Sequence, residues 1–197
     1  MTAETSKSYV YSSLFDTEFK RPFRILWLQP SEDFDTPLRC RLTTHDLTWK
    51  QTPWIQYEAL SYSWNSPTHS ETPLLCEDGL QLPITKSLNS ALRHLRQPES
   101  VRRLWIDQVC INQTDLDEKS HQIAQMKAIY SRSTYILIWL GEESHSGEQV
   151  LRFLMSLNKS RINIKDQLLH FFPKNGLSAL EHFFSRAWFH RRWVIQE

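Results

Sequence analysis

An α/β fold, a parallel sheet layered by helices, is the class this sequence predicts, and three adjoining stretches carry the prediction. Residues 103–107 are a short apolar run, residues 115–131 place Leu116, Ile123, Met126 and Tyr130 on one helical stripe, and residues 134–140 are almost unbroken apolar. The last run has the composition of a strand covered on both faces of a parallel sheet. A strand, helix and strand of these lengths make a right-handed crossover, which sets helices on the faces of the sheet.

The other elements follow in order. Residues 1–21 are polar and irregular, and are expected to form a flexible N-terminal arm or a partly docked leader, with the domain proper running over 22–197. Residues 23–29 read as a strand broken at Pro30, and 38–43 alternate apolar and polar as a strand with one wet face does. This pair is expected as an antiparallel extension at the edge of the main sheet. Residues 57–63 begin the central α/β unit as its first strand. Two short apolar runs, 74–76 and 80–84, flank an Asp-Gly turn pair and so predict a hairpin. Thr85 is placed to cap a helix over 86–96, whose Leu88, Ala91, Leu92 and Leu95 recur at helical spacing before Pro98. Thr114 marks the start of the 115–131 helix, with Asp115, Asp117 and Glu118 at its positive dipole end. Beyond Gly141, helices are expected over 148–157 and 177–184, and residues 188–197 look like the opening of another that the chain leaves unfinished.

Composition narrows the function classes. With 23 basic and 22 acidic residues the net charge is +1, so no field favours nucleic acid or an anionic membrane surface. No apolar run reaches membrane-span length and the first residues lack the apolar core of a signal peptide, which predicts a cytoplasmic protein. Cys40, Cys76 and Cys110 are odd in number and widely spaced, a pattern of free buried thiols. The four glycines form no phosphate-cradling cluster, so a bound nucleotide would be held by another geometry, and the eight histidines show no i, i+4 pair with a carboxylate; neither a cofactor nor a metal is expected.

Six motifs, in order, resemble the fungal heterokaryon-incompatibility (HET) domain. They are Tyr57-Glu-Ala-Leu-Ser-Tyr-Ser-Trp, Leu104-Trp-Ile-Asp-Gln-Val-Cys-Ile-Asn-Gln, Glu118-Lys-Ser-His-Gln-Ile-Ala-Gln-Met, Ile129-Tyr-Ser-Arg-Ser, Trp139-Leu-Gly and Arg192-Trp-Val-Ile-Gln-Glu. The resemblance implies a role in programmed cell death after non-self recognition between fused fungal cells. It also implies self-association and an upstream NLR-type recognition protein or fused domain. HET domains in turn resemble the TIR fold, so the expected architecture is a TIR/flavodoxin-like parallel sheet flanked by helices, with the N-terminal antiparallel extension added.

TIR enzymes that cleave NAD carry a catalytic glutamate on a late helix, with a Trp four residues before it. Trp193 and Glu197 have that spacing, and residues at i and i+4 share a helix face. By this likeness Glu197 is the catalytic carboxylate, Trp193 shapes the pocket, and NAD is the substrate. The alternative is that Trp193 is a core aromatic and Glu197 a solvated residue or the partner of Arg191 or Arg192. Ser63 and Trp64 lie at the carboxyl end of the first core strand, where ligands bind in open α/β sheets, and are substrate-binding candidates. Alternate Ser and aromatic residues in a strand also arise simply from facing opposite sides. Asp107, at the end of the next strand, is a candidate for a ribose hydroxyl, although an Asp at such a junction more often ties down its own turn. Glu118 reads as helix-dipole chemistry, Asn112 and Gln113 as loop hydrogen bonders, and Cys110, between Val109 and Ile111, as an inert thiol. Two functions therefore stand at this level: a NAD-hydrolysing effector, and a non-catalytic module acting by self-association or docking.

Overall fold

The computed structural model describes residues 7–48, 55–64, 69–77, 79–142, 145–157, 171–172 and 176–191. Its strands are β1 (Pro22–Leu28), β2 (Arg39–Asp46), β3 (Glu58–Tyr62), β4 (Leu74–Cys76), β5 (Gln81–Leu82), β6 (Arg102–Trp105) and β7 (Tyr135–Trp139). They form one mixed sheet in the order β5-β4-β2-β1-β6-β3-β7, flanked by helices, so the α/β class holds. The chain divides into two compact units, the first running to Trp139 and the second spanning Leu140–Arg192.

Three strands, β6, β3 and β7, pair in parallel with β3 in the middle. The chain leaves β3 for β6 on one side and returns from β6 to β7 on the other, so crossovers of one hand put their helices on opposite faces. The contacts agree. In α3 (Leu116–Arg132), Tyr130 packs edge-to-face on Trp105, the partner of Ala59, while Ile129 takes a hydrogen bond of 2.6 Å from Tyr57 on the same face. In α1 (Lys86–Leu95), His94 lies against Trp139, the partner of Tyr62 on the other face.

Both helices start on side-chain caps. Thr85 Oγ1 accepts the Leu88 N–H at 3.2 Å as expected. For α3 the cap is Asp115, whose carboxylate takes the N–H groups of Asp117 and Glu118, and not Thr114, whose hydroxyl is turned to Asn112. The β4–β5 hairpin turns at Gly79, where φ is +71°, a conformation that a side chain would strain.

One expectation for the strands holds and one is corrected. Strands β1 and β2 pair antiparallel and extend the parallel trio at its β6 edge, and β4 and β5 continue the sheet beyond them, so β1 lies in the interior of the whole sheet with its residues almost wholly buried. Conversely, β7 is not covered on both faces. Among the described residues it is the last strand of the sheet and pairs with β3 alone, and Tyr135, Ile136 and Ile138 are 66, 41 and 51 % exposed. An apolar run records the absence of charge, not the number of neighbours a strand will have.

Of the two readings of the N-terminal segment, residues 7–21 make the contacts of a docked one. Tyr9 and Lys7 exchange backbone hydrogen bonds with Gln81, the Tyr11 hydroxyl donates to the Val109 carbonyl at 2.9 Å, and Leu14 is buried. The three cysteines are buried thiols in no disulfide, with Cys40 and Cys76 facing each other across the β2–β4 pair.

The second unit contains α4 (His145–Leu157), α5 (Gly176–Phe184) and a 3-10 turn over Ala187–His190. Its core is aromatic: Val150, Phe153, Phe172 and Phe183 are buried, with Phe153 ringed by Phe171 and Phe172 at 5.8 and 5.6 Å.

Candidate functional site at the carboxyl edge of the parallel strands

Strand β3 ends at Tyr62, and the two residues beyond it, Ser63 and Trp64, project over the carboxyl edge of the parallel strands. Strand β6 ends at Trp105, and after Ile106 the chain turns at once into α2 (Asp107–Cys110), a one-turn helix that sequence periodicity is too short to reveal. Because β3 and β6 are neighbours in parallel register, these two exits meet. The indole N–H of Trp64 donates to Asp107 Oδ1 at 3.2 Å, while the ring remains 38 % exposed.

Asp107 is fixed from several directions. Its Oδ1 also accepts the Gln108 N–H at 2.7 Å, favourable at the positive end of α2, and its carbonyl accepts from Gln113 Nε2 at 2.8 Å. The turn-binding role expected of this residue and its contact with Trp64 thus coexist. Ser63 is half-buried, and its carbonyl takes the Ser87 hydroxyl at 2.9 Å, tying the β3 exit to the first turn of α1.

A second group lies directly beneath and is not evident from motif reading. Gln108 Oε1 accepts from the Tyr62 hydroxyl at 2.9 Å, from Thr85 Oγ1 at 3.2 Å and from the Thr85 N–H at 3.4 Å. One amide oxygen therefore joins β3, α1 and α2. The only sequence signal for it is its place next to Asp107 in the Asp-Gln-Val-Cys-Ile-Asn-Gln motif.

Glu118 does more than answer a helix dipole. Its two carboxylate oxygens meet the Arg24 guanidinium at 2.6 and 2.9 Å, with both side chains only 2 % exposed, and Oε1 also accepts the Asn112 N–H at 2.7 Å. Arg24 further donates to the carbonyls of Ser12 and Cys110 and lies 4.9 Å from the Tyr11 ring. This bidentate pair anchors the docked N-terminal segment, the α2 exit and the start of α3 around one buried charge pair. It braces α2, which begins at Asp107, and the loop after it that carries Gln113.

Cys110 is unsuited to nucleophilic chemistry. It is fully buried, and burial pushes its thiol up to about 12, against the partial relief of the Ile106 N–H. Among the described residues, no group of three or more His, Cys, Asp or Glu side chains is placed to hold a metal ion, and no helix is long and apolar enough to cross a membrane. Trp193 and Glu197 lie outside the described residues.

What the edge presents is thus an exposed indole surface, a carboxylate held beside it, and a layer of hydroxyl and amide groups below. An indole ring can stack a planar heterocycle, and carboxylate and hydroxyl groups can bind sugar hydroxyls. The sequence profile of the heterokaryon incompatibility protein (HET) family matches residues 57–197, a span that includes this edge, and the chain belongs to that family. Over its whole length the chain is also 28 % identical to heterokaryon incompatibility protein 6, OR allele, of Neurospora crassa. It spans about a third of that relative, 34 % of its length. No solved structure matches the chain.

Proposed function

We propose that this domain is the effector part of a fungal incompatibility system, acting in the cytoplasm to trigger cell death by hydrolysing NAD at the carboxyl edge of β3 and β6. Family membership supports the incompatibility role, and the Trp64–Asp107 hydrogen bond carries the choice of site. It draws the two strand exits together where ligands of open α/β sheets bind.

In this reading Trp64 stacks a ring of the dinucleotide, and Asp107 with Ser63 orients ribose hydroxyls. Glu197 supplies a carboxylate beside the bond that breaks, with Trp193 as the wall of its pocket. Departure of nicotinamide leaves oxocarbenium character on the ribose, which a nearby carboxylate stabilises. Water then adds to that carbon and releases a proton, giving ADP-ribose and free nicotinamide. No cofactor or metal takes part.

The test is release of nicotinamide from NAD by the purified chain under forced dimerisation. Trp64→Ala and Glu197→Gln are expected to lose it while melting near the parental temperature. Equal release from Glu197→Gln removes that residue from the mechanism, and no release from the parent removes NAD hydrolysis altogether. The second reading, a non-catalytic module that signals by self-association under an upstream recognition partner, is favoured by the exposed, uncharged strand β7. It predicts that Glu197→Gln kills as efficiently as the parent.

A further inference from the structure

Strand β7 is an unguarded sheet edge. Natural edge strands are blunted by charge, proline, bulges or a covering element, because their outer row of N–H and C=O groups is a template for another strand. Residues Tyr135–Trp139 read YILIW, without a charge, a proline or a glycine, and among the described residues no strand pairs with their outer side. The alternation of the strand puts Ile136 and Ile138 on one face, and both are about half exposed.

We infer that β7 pairs antiparallel with β7 of a second copy of this chain, about a twofold axis at Leu137, joining two sheets into one continuous sheet. The strand is complementary to itself in this register. With the axis at Leu137, Ile136 of one copy faces Ile138 of the other and Tyr135 faces Trp139, so four exposed isoleucines meet on one face and four aromatic rings on the other. A slip by one residue breaks this matching.

Only the antiparallel arrangement closes about a twofold axis, and a neutral strand with the same pattern in both directions, aromatic-Ile-Leu-Ile-aromatic, fits a copy of itself without needing a differently charged partner. One five-residue ladder buries less than the ~1,200–2,000 Å² of a stable interface, so pairing is weak and driven by concentration. Such a contact responds to clustering by an upstream module. It stands whether or not the domain hydrolyses NAD.

Sedimentation of the full chain across roughly 1 µM to 1 mM, where weak pairing of this kind is populated, tests the inference. The parent is expected to move from 23.5 kDa towards twice that mass. The double variant Ile136→Lys/Ile138→Lys is expected to stay at the lower mass with an unchanged circular dichroism spectrum. A parent that is monomeric throughout overturns the pairing, as does a folded double variant that dimerises like the parent. Should the lysines perturb folding, Leu137→Cys decides the matter, since directly opposed residues bring their Cβ atoms to about 4.5–5.5 Å. With diamide accepting the two hydrogens, that variant is expected to give a disulfide-linked dimer through its own symmetric position. A variant that yields only monomer refutes the register.

Discussion

Two apolar strands of this domain, β1 and β7, have exchanged the environments their sequences suggest. Strand β1 contains an arginine and is buried in the middle of the sheet, while β7 contains no charge and lies exposed at its end. The difference lies in the partners. The Arg24 guanidinium is tolerable in the interior because Glu118 and the carbonyls of Ser12 and Cys110 accept from its two terminal nitrogens, and β7 stays exposed because nothing in the described chain covers it. Burial of a strand is thus decided by what the rest of the chain brings to it, and a residue-by-residue hydropathy reading sees only half of the interaction.

The largest effect that tests this contrast comes from halving the buried ion pair. Arg24→Met leaves Glu118 charged and unpaired in the core, and is expected to cost about 3–5 kcal/mol in chemical denaturation. Arg24→Met/Glu118→Leu should recover most of that loss. If the single and double variants are equally unstable, the pair is not what permits β1 its place.

A comparable loss, about 3–5 kcal/mol, is expected of Trp105→Ala on the strand beside β1, where a fully buried ring packed on Tyr130 is replaced by a cavity. Trp139→Ala on β7 should cost clearly less, because Trp139 is only half-buried and leans on the exposed ring of His94. Equal midpoints for the two variants would erase the distinction between interior and edge.

A smaller effect belongs to Asp46, at the end of β2 opposite the start of β1. Burial raises its carboxyl, but the N–H groups of Thr48, Lys20 and Arg21 outweigh that and hold it below the ordinary carboxylate range. Its stabilisation is therefore complete above the unfolded value near ~4 and is lost as pH falls through the lowered folded value. Asp46→Asn is expected to cost about 1–2 kcal/mol at neutral pH and to flatten the acid limb of the stability curve. The smallest effect is at the edge itself, where Ile138→Thr should change stability by no more than about 0.5 kcal/mol.

Much of the architecture was legible in the sequence, and what escaped has a common cause. The helices α1 and α3, the hairpin turn at Gly79 and the parallel trio follow from spacing, caps and turn residues, which are local properties. The positions of β1 and β7 in the sheet, the pairing of Glu118 with Arg24, and the bridging by Gln108 depend on residues far apart in the chain, separated by 94 positions in the ion pair. No local pattern encodes them. The candidate site divides in the same way. Trp64 and Asp107 were separately visible as residues at strand exits, but that they touch depends on β3 and β6 being adjacent.

The interior position of β1 bears on where this domain can be cut. The family match begins at residue 57, after both β1 and β2 have passed. Yet these two strands stand between β6 and the β4–β5 hairpin. Excising 57–197 by the limits of the match would strip Glu118 of its cation and lay bare the edge of β6 that pairs with β1, so that piece is expected to aggregate where the longer chain folds. The smallest autonomous unit is expected to follow the sheet and to reach back to the docked residues around Tyr9, which limited proteolysis of the full chain would check.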